Sequence, residues 1–154
     1  MSLFVTVFPS VLYRMLKIGK GVFILKIFTT QLTGLFQSIS KDEFAFEDAA
    51  RLLAQAAAGQ GNIYIYGSRE MAGLVNQVLE SQDPLPQAKP LSFDGSSIQA
   101  EPVDRVILAT RHHDDEEAVA LAEQLYTKNI PCVALSTIHD ADRQGIESKA
   151  DVHI

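Results

Sequence analysis

The chain has 154 residues, 47 % of them hydrophobic and 21 % charged. These are the proportions of one ordinary globular domain rather than of a disordered or fibrous chain. Its charge is unevenly spread: residues 1–41 hold five Lys or Arg and no acid, whereas residues 42–154 hold eight Lys or Arg against 19 acids, a net of −11. Such a body repels nucleic-acid phosphates, whose binding depends on neutralisation by Lys and Arg, so a nucleic-acid partner is excluded.

Met1–Ile24 is apolar but broken by Pro9, Arg14, Lys17 and Lys20. Its longest uncharged stretch, Met1–Tyr13, contains a proline and is shorter than the roughly 20 residues that span a bilayer. Its charges come late and no Ala-x-Ala pattern follows, contrary to a secretory signal. We read residues 1–24 as an upstream extension of the coding sequence, because domain-like sequence begins at Leu25-Lys26-Ile27-Phe28; a peripheral amphipathic helix is the weaker reading. The expectation is a cytoplasmic protein with no membrane partner. The single cysteine, Cys132, lies in an apolar run, excludes an intramolecular disulfide and reads as a buried, inert thiol.

From Leu25 to Ser38, apolar residues at three- and four-residue steps predict an amphipathic helix. A second helix is predicted over Phe46–Ala58, rich in Ala, Leu and Gln and closed by Gly59-Gln60-Gly61. The period then changes. Asn62–Tyr66, β-branched and aromatic, predicts a strand that stops at Gly67-Ser68, and Arg69–Glu80 returns to helical spacing. Gln82–Pro90, with three prolines, predicts a loop, followed by a short strand at Leu91–Phe93 and a turn at Gly95-Ser96-Ser97. Val103–Thr110 is a near-continuous apolar run, as a parallel strand buried on both faces requires. Glu116–Lys128 predicts a helix and Ile130–Ser136 a second buried strand, giving a βαβ crossover. A short helix over Ala141–Lys149 and a last strand at Asp151–Ile154 complete the series. Alternating strands and helices predict an α/β fold: a doubly wound parallel sheet, flavodoxin-like and three-layered α/β/α, with two N-terminal helices. A covering helix would ordinarily follow the last strand, so we expect the C-terminus to be truncated.

The order of features resembles a SIS (sugar isomerase) domain, most of all the phosphoheptose isomerase branch and an uncharacterised bacterial group near it. The resemblance runs over Leu25–Ile154. Its landmarks are Phe46–Leu53 leading through Gly61 and Asn62–Tyr66 into Gly67-Ser68, and then Asp104–Thr110, Arg111–Asp115, Glu116–Lys128 and Pro131–Thr137. It implies one domain over residues 25–154, a phosphosugar at the carboxyl ends of the strands, and a homodimer paired through N-terminal helices, for which the 25–38 helix offers a surface.

Two loops would hold the ligand. In the first, Gly67 lets the backbone approach, Ser68 offers a hydroxyl or caps the next helix, Arg69 can grip a phosphate, and Glu70 is a candidate base. In the second, SIS domains carry a hydroxyl-rich run, of which only Thr110 is present. Arg111, His112 and His113 follow, then four consecutive acids, Asp114 to Glu117. Acids suit a helix start, each by about 0.3–1 kcal/mol, but they oppose a phosphate there. Ser136 and Thr137 end the fourth strand and are expected to line the pocket. The histidines and acids of the second loop read as a solvated polar turn rather than a metal site, and no metal or cofactor is expected.

Three functions remain in competition at this point: a SIS-like sensor or accessory domain binding a phosphorylated sugar or similar small anion, a phosphosugar isomerase with an unusual loop, and an interaction module whose pocket has decayed. Catalysis would need a base near neutral pKa; Glu70, His112 and His113 are the candidates, and none falls on a family catalytic motif.

Overall fold

The computed structural model describes residues 25–95, 97–138, 142 and 144–154; the reading of residues 1–24 lies outside these. The chain divides into two units, Met1–Glu43 and Phe44–Ile154. In the first, helix α1 (25–39) carries the predicted three- and four-residue apolar rhythm, with Phe28, Leu35 and Phe36 exposed.

The second unit holds helix α2 (Glu43–Ala58, which begins at the unit boundary), strand β1 (Ile63–Gly67), a 3-10 turn (Arg69–Met71), α3 (Ala72–Glu80), β2 (Ala88–Pro90), β3 (Arg105–His112), α4 (Glu116–Thr127), β4 (Cys132–Thr137) and β5 (Val152–His153). All pairings are parallel and the strand order is β2-β1-β3-β4-β5. Both faces are covered, which is why the strands are apolar almost throughout rather than alternating. Ile63 and Ile65 of β1 pack with Ile107 of β3, Leu53 and Ala56 of α2, and Val75 and Val78 of α3. Val106 and Leu108, their neighbours along β3, point the other way, into a larger cluster with Leu121, Ala122 and Leu125 of α4. This is the doubly wound α/β architecture expected, with its two N-terminal helices.

Three local expectations need correction. The predicted loop over Gln82–Pro90 contains strand β2, and Leu91–Phe93 is not a strand. Pro90 is tolerated because β2 is an edge: the ladder needs Gln87 O, which accepts from Ile63 N (3.0 Å), and Leu91 N, which donates to Ile65 O (2.8 Å), while the missing proline N–H would face outward. Over Ala141–Lys149, the described residues show only one 3-10 turn, Ile146–Ser148. Gly145 interrupts it in extended backbone (φ −126°, ψ −159°), pressed so closely on His113 and Glu147 that a Cβ would collide with both. Third, Ser68 does not cap the following helix; its hydroxyl is used elsewhere.

Candidate functional site

The strand order reverses between β1 and β3, since the chain steps from β1 outward to β2 and then returns to β1's other side. At such a switch point the loops leaving the two strands diverge and open a crevice at their carboxyl ends. Here that crevice is a cleft of about 550 Å³. After β1 it is lined by Ser68, Arg69 and Glu70, and after β3 by Thr110, Arg111, His112 and the acids Asp114, Asp115 and Glu116.

At its base Ser68 Oγ donates to Thr110 Oγ1 (2.9 Å), which donates to the His112 carbonyl (3.2 Å). Both hydroxyls are almost fully buried. Gly67 lies beneath, where the chain folds back so tightly that a Cβ would strike the Met71 carbonyl. The fold-back puts Arg69 in the left-handed region (φ +48°), a conformation that costs a non-glycine residue on the order of 1–2 kcal/mol. Beyond Ala109 the β3–β4 register shifts, so that His112 pairs with Thr137; such an irregularity re-aims the residues beside it.

Two ion pairs join the two loops of the cleft. Arg69 Nε lies 3.2 Å from Asp115 Oδ2, and Arg111 lies 3.5 Å from Glu70. Asp115 also caps α4, its Oδ1 accepting from Ala118 N (3.1 Å). A hydrogen bond from its own backbone, then the Arg111 guanidinium, hold the Glu70 carboxyl below the usual range. Behind the cleft, burial and then a hydrogen bond with Glu117 push the Tyr66 hydroxyl up. Its ring meets Phe93 edge-on at 6.4 Å.

The loop is anchored from the side by His113, which is fully buried. Its Nδ1 lies 3.0 Å from Glu147 Oε2. Its backbone N donates to Thr137 O (3.2 Å) and its carbonyl accepts from Ile146 N (2.9 Å). Burial raises the Glu147 pKa, but bonds from the Gly145 amide, its own backbone and the His113 ring outweigh it and hold the carboxyl below its ordinary value.

Of the residues singled out in the sequence, Ser68, Arg69, Glu70, Thr110, Arg111 and His112 line one cleft, and Gly67, which is not among its lining residues, ends β1 just before it. Ser136 and Thr137 are not among its lining residues. Ser136 Oγ instead lies 2.7 Å from His153 Nε2 and ties β5 to β4. Sequence reasoning missed Asp115 as the partner of Arg69, and Glu147 as the partner of His113. The acidic helix start flagged the first; nothing local signals the second, 34 residues away. Among the described residues no group of three or more His, Cys, Asp and Glu could hold a metal ion, and no helix is long and apolar enough to cross a membrane.

Fold and cleft together define a doubly wound α/β domain with a polar switch-point crevice. Its architecture is similar to that of a solved Salmonella typhimurium LT2 protein described as a "putative phosphosugar isomerase" (TM-score 0.51, 17 % identity over 71 % of this chain). The chain spans about a third of that protein's length, 35 %. The chain belongs to the family described as "Domain of unknown function (DUF2529)", whose model matches residues 24–154. A relative is "Uncharacterized protein YwjG" of Bacillus subtilis (strain 168), 41 % identical over 131 residues, which cover 84 % of this chain and 74 % of the relative.

Proposed function

We propose that the β1/β3 cleft binds a small phosphorylated sugar or a similar anion, and that the protein acts as a sensor or accessory domain rather than as a catalyst. The observation that carries this reading is the convergence of both loops on one open crevice at the switch point, with two arginines at its mouth and two hydroxyls at its base. Guanidinium groups suit a phosphate, while carboxylates accept hydrogen bonds from sugar hydroxyls. A cleft carrying both fits a ligand with an anionic end and a polyol end. The cleft is open, which speaks against a decayed pocket filled by side chains.

An isomerase needs a base whose pKa lies near neutrality. Of the three candidates Glu70, His112 and His113, Glu70 is displaced the opposite way and is poorly suited to that role, while His112 also lines the cleft. We further propose a homodimer in the cytoplasm, as the SIS resemblance implies.

The test is a thermal-shift screen of the full chain against hexose and heptose phosphates, their unphosphorylated sugars and inorganic phosphate. A ligand at 100 times its Kd adds about 2.7 kcal/mol, enough to raise the midpoint by several degrees. A shift with a sugar phosphate that falls away in Arg69→Ala and Arg111→Ala is the expected result. A flat screen with well-folded protein would refute the binding reading.

A further inference from the structure

We infer that Glu147 is a positioning residue of the cleft: through His113 it fixes the loop between β3 and α4, and so sets where Arg111 and His112 stand to meet a ligand. This rests on the binding reading above for its ligand but not for its geometry. The loop supplies one wall of the cleft, with Arg111, His112 and Asp114 among its residues. The sheet does not hold it alone, because the β3–β4 register shifts between Ala109 and His112. A ladder so interrupted leaves the residues beyond it to be placed by other contacts.

Those contacts converge on His113, which lies between two cleft-lining residues and is itself fully buried. Its backbone N donates to Thr137 O (3.2 Å) and its carbonyl accepts from Ile146 N (2.9 Å). Two such bonds leave a hinge about the line that joins them, and the contact of the ring with Glu147 Oε2 (3.0 Å) closes it. The other end of this bridge is firm. Ile146 is fully buried in the core cluster that includes α4, Gly145 N donates to Glu147 Oε1 (2.9 Å), and Ser148 Oγ donates to Gly145 O (2.8 Å). One carboxylate thus joins the 145–148 turn to the loop, with one oxygen on each. Supporting contacts of this kind hold a binding group within about half an ångström of its working position. Ser68 and Arg69 follow β1 instead, so the effect falls on the other wall.

The test makes two measurements on the full chain. Proton–carbon correlation spectra follow the ring resonances of its four histidines, with His112→Gln identifying that of His112. Calorimetry follows binding of glucose 6-phosphate. Glu147→Ala removes the carboxylate, Glu147→Asp draws it back by one carbon, and Glu147→Gln keeps an acceptor for Gly145 and a polar group within reach of His113. Asp104→Ala, just before β3, is the control, since it removes another hydrogen-bonded carboxylate away from the cleft. Glu147→Ala should move the His112 resonance and weaken glucose 6-phosphate by about tenfold, the loss of one charged hydrogen bond. Glu147→Asp should do both to a smaller degree and Glu147→Gln should restore most of both. Asp104→Ala should alter neither at a temperature where every protein is folded. An unmoved His112 resonance in Glu147→Ala, or in Glu147→Asp should the alanine variant not fold, overturns the inference whatever the ligand does. An equal effect of Asp104→Ala, or no recovery in Glu147→Gln, overturns it too, because the change would then be one of stability or charge rather than position. If the wild type binds glucose 6-phosphate and Glu147→Ala binds it equally well, the positioning role is refuted and the binding reading stands. If His112 moves as expected but the wild type binds no glucose 6-phosphate, the positioning role stands and the binding reading fails.

Discussion

Replacing Glu147 by alanine tests whether the cleft loop is held from outside the cleft. The carboxylate accepts from Gly145 N through Oε1 (2.9 Å) and meets His113 Nδ1 through Oε2 (3.0 Å). Hydrogen bonds to a charged group are worth about 1.5–3 kcal/mol each. The Glu147 side chain is 26 % exposed, which places the pair toward the lower end, roughly 3–4 kcal/mol in total. The variant should lose that much in urea unfolding followed by far-UV circular dichroism at pH 7. Because the folded carboxyl is held below its ordinary value of 4.5, its contribution is complete above that value and is lost as the pH falls through the lower folded pKa. The gap between wild type and Glu147→Ala should therefore narrow in acid. A deficit under 1 kcal/mol at neutral pH, or one that does not shrink on acidification, would refute the reasoning.

Three further outcomes follow from the same geometry. Gly67→Ala should cost about 1–3 kcal/mol through overpacking against the Met71 carbonyl; a variant with a wild-type melting curve would show that the fold-back relaxes freely. Asp104, 3 % exposed, accepts from the backbone of Asn62 (2.7 Å) and Glu101 (2.8 Å) and from the Asn62 side chain (3.2 Å). Burial pushes its pKa up but these bonds prevail and hold it below 3.8. Asp104→Ala should thus lose about 2–4 kcal/mol at pH 7, and less once the pH drops below that value, as denaturant titrations at the two pH values would reveal. Cys132 is 1 % exposed and its thiol is pushed up to about 12, first by burial and then by the Asp151 carboxylate. A thiol-specific reagent at pH 8 should label it only in denaturant, and rapid native labelling would contradict its placement.

Most of the fold was legible because it rests on local signals that tertiary packing reinforces. The apolar run through Val106, Ile107 and Leu108 specifies a strand covered on both faces, and it packs into two separate clusters on opposite sides. The acids before Ala118 specify a helix start, and Asp115 caps it. Where the local signal misled, a distant partner was responsible. Strand β2 forms at Ala88–Pro90 because β1 offers it a ladder, although three prolines in the segment argue for a loop.

The cleft divides in the same way. Its residue types were recognisable on two loops: Ser68 and Arg69 after one strand, Thr110 and Arg111 after another. The sequence by itself determined the fold class, the strands that end at the site and the acidic start of α4, since each depends on neighbours within one or two turns of chain. Only the tertiary structure decided that Arg69 faces Asp115, that Ser68 bonds Thr110 rather than its own helix, that Ser136 is turned to His153, and that His113 is buried against Glu147. Those pairings depend on the order in which the strands lie side by side, and that order is set by burial of the whole sheet rather than by any short stretch of residues.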